Sequence, residues 1–114
     1  MAVPDFEVTH YTYRVTWSAE DGEFVATCLE FPSLSWLAET QEAALAGLRD
    51  LVAEVIDDLR GNNESVPQPL SSRAYSGTFN LRVGEELHRR LAMEAAAENL
   101  SLNQYVVRRL SQAS

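Results

Sequence analysis

The chain has no lysine, a single cysteine and two histidines, and it lacks any apolar run that approaches the length of a membrane span. Each shortage removes a class of explanation. One cysteine, Cys28, excludes disulfide frameworks and cysteine-rich metal sites within one chain, and a buried structural thiol is the expected reading. His10 and His88 make no ligand cluster at metal spacing, even with Cys28. The N-terminus shows no basic segment followed by an apolar core, so neither export nor insertion is expected, and a cytoplasmic protein is. No nucleophile-elbow pattern and no glycine-rich phosphate loop occur, so no enzyme and no cofactor are expected. All nine basic side chains are arginine, which suits bidentate contacts to bases and carboxylates.

Charge divides what remains. Of the net −8, residues 1–70 carry −10 and residues 71–114 carry +2. An acidic module joined to a mildly basic one fits an end that binds nucleic acid and an end that repels it or meets a basic partner.

The C-terminal stretch has the more specific pattern. Thr78, Asn80 and Arg82 alternate with Phe79, Leu81 and Val83, the period-2 signature of a half-buried strand, and no second strand follows. Gly84 breaks it, and Glu85 and Glu86 sit in the first turn of a helix, where the macrodipole favours acids. Leu87, Leu91 and Ala95, flanked by Ala92 and Ala96, give that helix its apolar stripe, and Asn99 is its stop signal. Ser101 and Gln104 read as a capping box opening a last helix, whose stripe is Leu102, Tyr105, Val106 and Leu110. One strand with two open edges and two short amphipathic helices is too little to bury a core, so a homodimer made through an antiparallel two-stranded ribbon is expected.

This strand-helix-helix pattern, carried by Phe79-Asn80-Leu81-Arg82 and Ser101-Leu102-Asn103-Gln104, resembles the ribbon-helix-helix DNA-binding family over residues 77–113. The resemblance implies that Thr78, Asn80 and Arg82 contact base edges in the major groove of operator double-stranded DNA, while Phe79, Leu81 and Val83 form the dimer core. The chemistry agrees: Arg can donate twice to guanine, Asn can bond adenine bidentately, and Thr can offer its hydroxyl or its methyl group. The backbone at Ser101, Leu102 and Asn103 would meet a phosphate, as free amides at a helix N-terminus do. Pairing of dimers into tetramers stays open. A dimerisation ribbon with a merely solvated polar face is the bland alternative.

Along the N-terminal part, Tyr11, Tyr13, Val15 and Trp17 alternate with Thr12, Arg14 and Thr16 as a strand, residues 18–22 supply a turn ending in Asp-Gly, and Phe24 to Leu29 form a second strand ended by Phe31-Pro32. Leu34 and Trp36 suggest a short third strand. Thr40 caps a long helix whose stripe runs from Ala44 through Leu48, Val52 and Ile56 to Leu59, with Gly61-Asn62-Asn63 as its stop. Residues 61–76, with Pro67, Pro69 and several serines, read as a linker. The expected fold class is α+β: a small antiparallel sheet covered by one helix in residues 1–60, the linker, and the dimeric unit in 77–114.

Glu20-Asp21-Gly22-Glu23-Phe24-Val25-Ala26-Thr27, Glu30-Phe31-Pro32-Ser33, Thr40-Gln41-Glu42-Ala43-Ala44-Leu45 and Val66-Pro67-Gln68-Pro69 occur in the order of the N-terminal domain of HicB-type antitoxins, which residues 11–70 resemble. Ser33 stands where the family usually has Gly, and the helix motif carries one extra Ala. The resemblance implies a truncated ribonuclease H-like domain, a HicA-type ribonuclease toxin as protein partner, and repression of the shared promoter. The helix carboxylates Glu42, Glu54, Asp57 and Asp58 fit a solvated face better than a nuclease metal site. Three functions are weighed: antitoxin and autoregulator, stand-alone repressor with a ligand-sensing N-terminal domain, and protein-interaction dimer without DNA binding. For toxin contact an acidic surface needs an apolar anchor, Trp17 or Trp36, between which the residues do not choose.

Overall fold

A computed structural model describes residues 7–113, and the chain divides into two compact units between Tyr75 and Ser76. In the first unit a three-stranded antiparallel sheet of order β1-β2-β3 is built from β1 (Tyr13–Ser18), β2 (Glu23–Cys28) and β3 (Phe31–Ala38), followed by α1 (Gln41–Gly61). The α+β class and the antiparallel sheet with its helix are as expected.

The β1–β2 turn closes as its residues demand. Gly22 takes a left-handed φ of 65°, its amide donates to the Ser18 carbonyl at 2.8 Å, and the Ser18 hydroxyl donates to the Asp21 carboxylate at 2.9 Å. The third strand corrects the sequence reading. Phe31 and Pro32 do not end β2, which stops at Cys28, but open β3, which is eight residues long. Phe31 and Ser35 pair with the adjacent residues Cys28 and Thr27, so 32–34 bulge out of the ladder. Pro32 is tolerated there, on an edge strand, because a bulge asks for no ladder donor.

One sheet face carries Val15, Phe24, Ala26, Cys28 and Phe31, and α1 lays Ala44, Leu48, Val52 and Ile56 on it. Thr40 caps α1, its hydroxyl oxygen accepting the Ala43 amide at 3.1 Å. α1 ends at the expected Gly61-Asn62-Asn63, with Gly61 as its last helical residue. The stop is Asn63, at a φ of 57°, with the Glu64 amide returning to the Leu59 carbonyl at 2.8 Å in a Schellman closure. A glycine in mid-helix has a separate cause: a Cβ on Gly47 would run into the indole of Trp36, which lies across it from β3.

The expected linker is the largest departure. Residues 66–75 are a strap docked on the first unit, not a spacer: Pro69 is fully buried, Val66 packs on the core, and a short 3-10 turn spans Leu70–Ser72. Tyr11 donates its hydroxyl to the Pro67 carbonyl at 2.7 Å, and Ser71 donates to the His10 carbonyl at 2.8 Å. Low apolar content made this stretch read as solvated, whereas polar bonds and a buried proline hold it.

In the second unit α2 (Glu85–Ala97) and α3 (Leu102–Gln112) follow a stretch with no regular secondary structure. Asn99 ends α2 as expected, at a φ of 57°, with the Leu100 amide on the Ala95 carbonyl. The Tyr105 hydroxyl donates to Glu94 at 2.6 Å and ties α3 to α2. Residues 78–83, expected as a strand, form no ladder among the described residues, for no second strand is there to pair with.

Candidate nucleic-acid and partner interfaces

Each unit holds one candidate. In the second, the alternation of residues 78–83 has a visible consequence. Phe79, Leu81 and Val83 line a groove of about 600 Å³ together with Leu91, Leu102, Val106 and Leu110, whereas Asn80 and Arg82 are exposed and stay out of it. Thr78 is exposed but also touches the groove, and its amide is engaged by the Ser76 hydroxyl oxygen at 3.1 Å. The residues expected as a dimer core are not buried within one chain: Phe79 is 75% and Leu81 59% exposed, and Val83 is half-buried. Leu110, expected on a buried stripe, is exposed too, and so are Ala92 and Ala96. Ala95 and Tyr105 are the only buried side chains among the described residues of this unit. A groove this apolar beside so small a core is a surface that water covers at a cost.

The start of α3 is resolved amide by amide. The Ser101 hydroxyl oxygen accepts the Gln104 amide and the Gln104 side-chain oxygen accepts the Ser101 amide, both at 3.1 Å, completing the capping box. That consumes the Ser101 amide as a donor. The amides of Leu102 and Asn103 remain with no intrahelical acceptor, so of the three backbone positions expected at a phosphate these two have donors to give.

The first unit centres on Glu30, which sequence reasoning noted only as part of a motif. It is a buried carboxylate in the β2–β3 turn. Its oxygens accept the Thr12 amide at 2.9 Å, the Thr12 hydroxyl at 3.1 Å and the Leu70 amide of the strap at 2.9 Å, with the Cys28 thiol at 3.4 Å. Burial pushes its pKa up, but the Leu70 and Thr12 donors together outweigh that and hold the carboxyl below its ordinary value. The signal available in the sequence was a Glu directly before the Phe-Pro that opens β3. Burial raises the Cys28 thiol above its usual value, which makes it a poor nucleophile. Tyr13, half-buried and donating its hydroxyl to the Val8 carbonyl at 2.7 Å, is pushed up to about 12 by desolvation.

Trp17 and Trp36, the two candidate anchors, differ in environment. Trp36 is 44% exposed with its indole seated over Gly47. Trp17 is 56% exposed and stands edge-on to Phe24, ring centroids 5.0 Å apart. Among the described residues no three His, Cys, Asp or Glu side chains converge as metal ligands, and no helix is long and apolar enough to cross a membrane.

Compared with known proteins, residues 62–110 match the HicB family, a stretch that takes in the strap and most of the second unit but less than half of the chain. That match supports HicB-type membership, and it lies C-terminal to most of the 11–70 segment on which the N-terminal resemblance was read. No curated protein and no solved structure matches the chain.

Proposed function

We propose that this chain is the antitoxin of a type II toxin-antitoxin pair, acting by binding and not by catalysis in the cytoplasm. Its N-terminal unit, read as truncated ribonuclease H-like, masks a HicA-type toxin. Its C-terminal unit pairs with a second copy as a ribbon-helix-helix dimer that binds operator DNA and represses its own operon. The observation that carries the reading is the groove of the second unit. Phe79, Leu81 and Val83 are presented at it from a segment whose alternate residues are polar, and the unit holds almost no core of its own. A two-fold ribbon would cover those side chains and satisfy the strand edges with the same contacts. Thr78, Asn80 and Arg82 would then face base edges, and the Leu102 and Asn103 amides a phosphate. The family match over 62–110 supports the assignment independently.

The test is co-expression of the full chain with the protein encoded by the adjacent reading frame, scored for rescue of growth and co-purification, together with gel-shift on the upstream promoter. Rescue with a promoter shift is expected. A chain that shifts the promoter but neither binds nor protects would be a stand-alone repressor, and one that does neither is not an antitoxin.

A further inference from the structure

We infer that Trp17, at the hairpin end of the sheet, is the apolar anchor by which the N-terminal unit grips a basic protein partner. This rests on the antitoxin reading above and specifies its contact surface. Trp36 is already committed within the fold, since its indole occupies the space that any side chain at position 47 would fill. Among the described residues Trp17 has one ring against it, Phe24, directly across the β1–β2 ladder, and more than half of its surface is open. A tryptophan braced by an edge-on neighbour offers large contact area with little side-chain entropy left to lose, which is the character of an interface hot spot.

The surroundings decide the occupant. Trp17 pairs with Phe24, and Phe24 with Ala38, so the β1–β2 turn and the β3–α1 connection lie at the same end of the sheet. That end carries Glu20, Asp21, Glu23, Glu39 and Glu42, and residues 15–48 contain no Arg, Lys or His to offset them. Nucleic acid would be repelled there, and a second copy would bring the same acids face to face. A basic protein surface with an apolar slot is favoured on both counts, the acids steering encounter and the ring supplying the buried contact.

The probe is a catalytically inactive HicA-type toxin from the adjacent reading frame, its own tryptophans replaced by phenylalanine, titrated into the full-length chain. Trp17→Ala is expected to weaken binding by about thirtyfold or more, while the melting midpoint falls only by the small amount that loss of the Phe24 contact entails. In a Trp36→Phe background the emission of Trp17 should shift to the blue on binding, a readout that does not require the anchor to be removed. If wild type binds but Trp17→Ala binds within about threefold of it, or the emission stays put, the anchor assignment is overturned while the antitoxin reading stands. If wild type itself fails to bind, the antitoxin reading falls and takes this inference with it.

Discussion

Glu30 allows two physical effects to be weighed against each other. A buried carboxylate loses solvation, and if that cost dominated, Glu30→Gln would stabilise the chain by removing the charge while keeping the shape. The geometry points the other way. The carboxylate receives the Thr12 amide, the Thr12 hydroxyl and the Leu70 amide, all donors, and a glutamine would turn an NH₂ group toward some of them. Hydrogen bonds to a charged acceptor contribute about 1.5–3 kcal/mol each, and a buried donor left unpaired costs about 1–3 kcal/mol. The strap can lift and let water reach Leu70, so these do not add in full. Glu30→Ala is therefore expected to cost about 3 kcal/mol and Glu30→Gln about 1–2 kcal/mol, a large share of the stability of a small domain. Urea unfolding of the full chain followed by circular dichroism measures both, and amide exchange at Leu70 and Thr12 reports the local release. A Glu30→Gln variant as stable as wild type, with Leu70 still protected, would show that desolvation wins and that the strap is held by something else.

The same group fixes a pH dependence. Its folded pKa lies below the unfolded value of 4.5, so its stabilisation is complete above about that pH and is lost as the pH falls through the folded pKa. Leu70 protection in wild type should collapse in that acid window, and Glu30→Gln should lack this component.

The other expected outcomes are these. A fragment ending at Tyr75 should melt well above one ending at Glu64, which lacks the buried Pro69 and the Leu70 donor to Glu30; equal melting would restore a free linker. Gly47→Ala should destabilise wild type by displacing Trp36, yet in a Trp36→Ala background it should stabilise by about 1 kcal/mol, the ordinary helix preference; the same sign in both backgrounds would break the link between the two residues. Arg82→Ala or Asn80→Ala should cost about 1–3 kcal/mol in operator binding by gel-shift while sedimentation shows the dimer intact; wild-type affinity would remove the ribbon from the groove. Leu81→Asp should abolish both association and DNA binding, because a charge would enter the proposed ribbon core, and a variant that still sediments as a dimer would move the interface elsewhere.

Periodicity carried most of what was legible. The alternation in residues 11–17, the run from Phe24 to Leu29 and the stripe from Ala44 to Ile56 found two strands and α1, and Ser101 with Gln104 found the start of α3, because each pattern is written in consecutive residues. The misses share a cause. Phe31-Pro32 was read as a terminator because proline lacks a ladder donor, but only the pairing of Phe31 and Ser35 with neighbouring residues of β2 shows that a bulge absorbs it. The strap at 66–75 looked like a linker because what holds it, a carboxylate forty residues earlier and a tyrosine hydroxyl at position 11, is non-local and leaves no local pattern. Of the candidate sites, the division of 79–83 into groove-lining and outward side chains was readable from alternation, whereas Thr78 touches the groove against that pattern. Ser101 and Gln104 likewise spelled the capping box that takes the Ser101 amide, which leaves Leu102 and Asn103 as the donors of that expected set.

Charge and core divide the chain in the same way, and the coincidence bears on how it would work. The acidic unit closes its core around Leu48, Val52 and Ile56 within one chain. The mildly basic unit buries only Ala95 and Tyr105 among its described residues and leaves Phe79 and Leu81 in water. On the proposed reading the toxin-masking surface is thus complete in a single copy, whereas the DNA-binding surface exists only after association and so depends on concentration. A cell holding little of the protein would keep toxin masked while its promoter goes free. The order of those two events follows from which unit has a finished core, with no further regulatory element required.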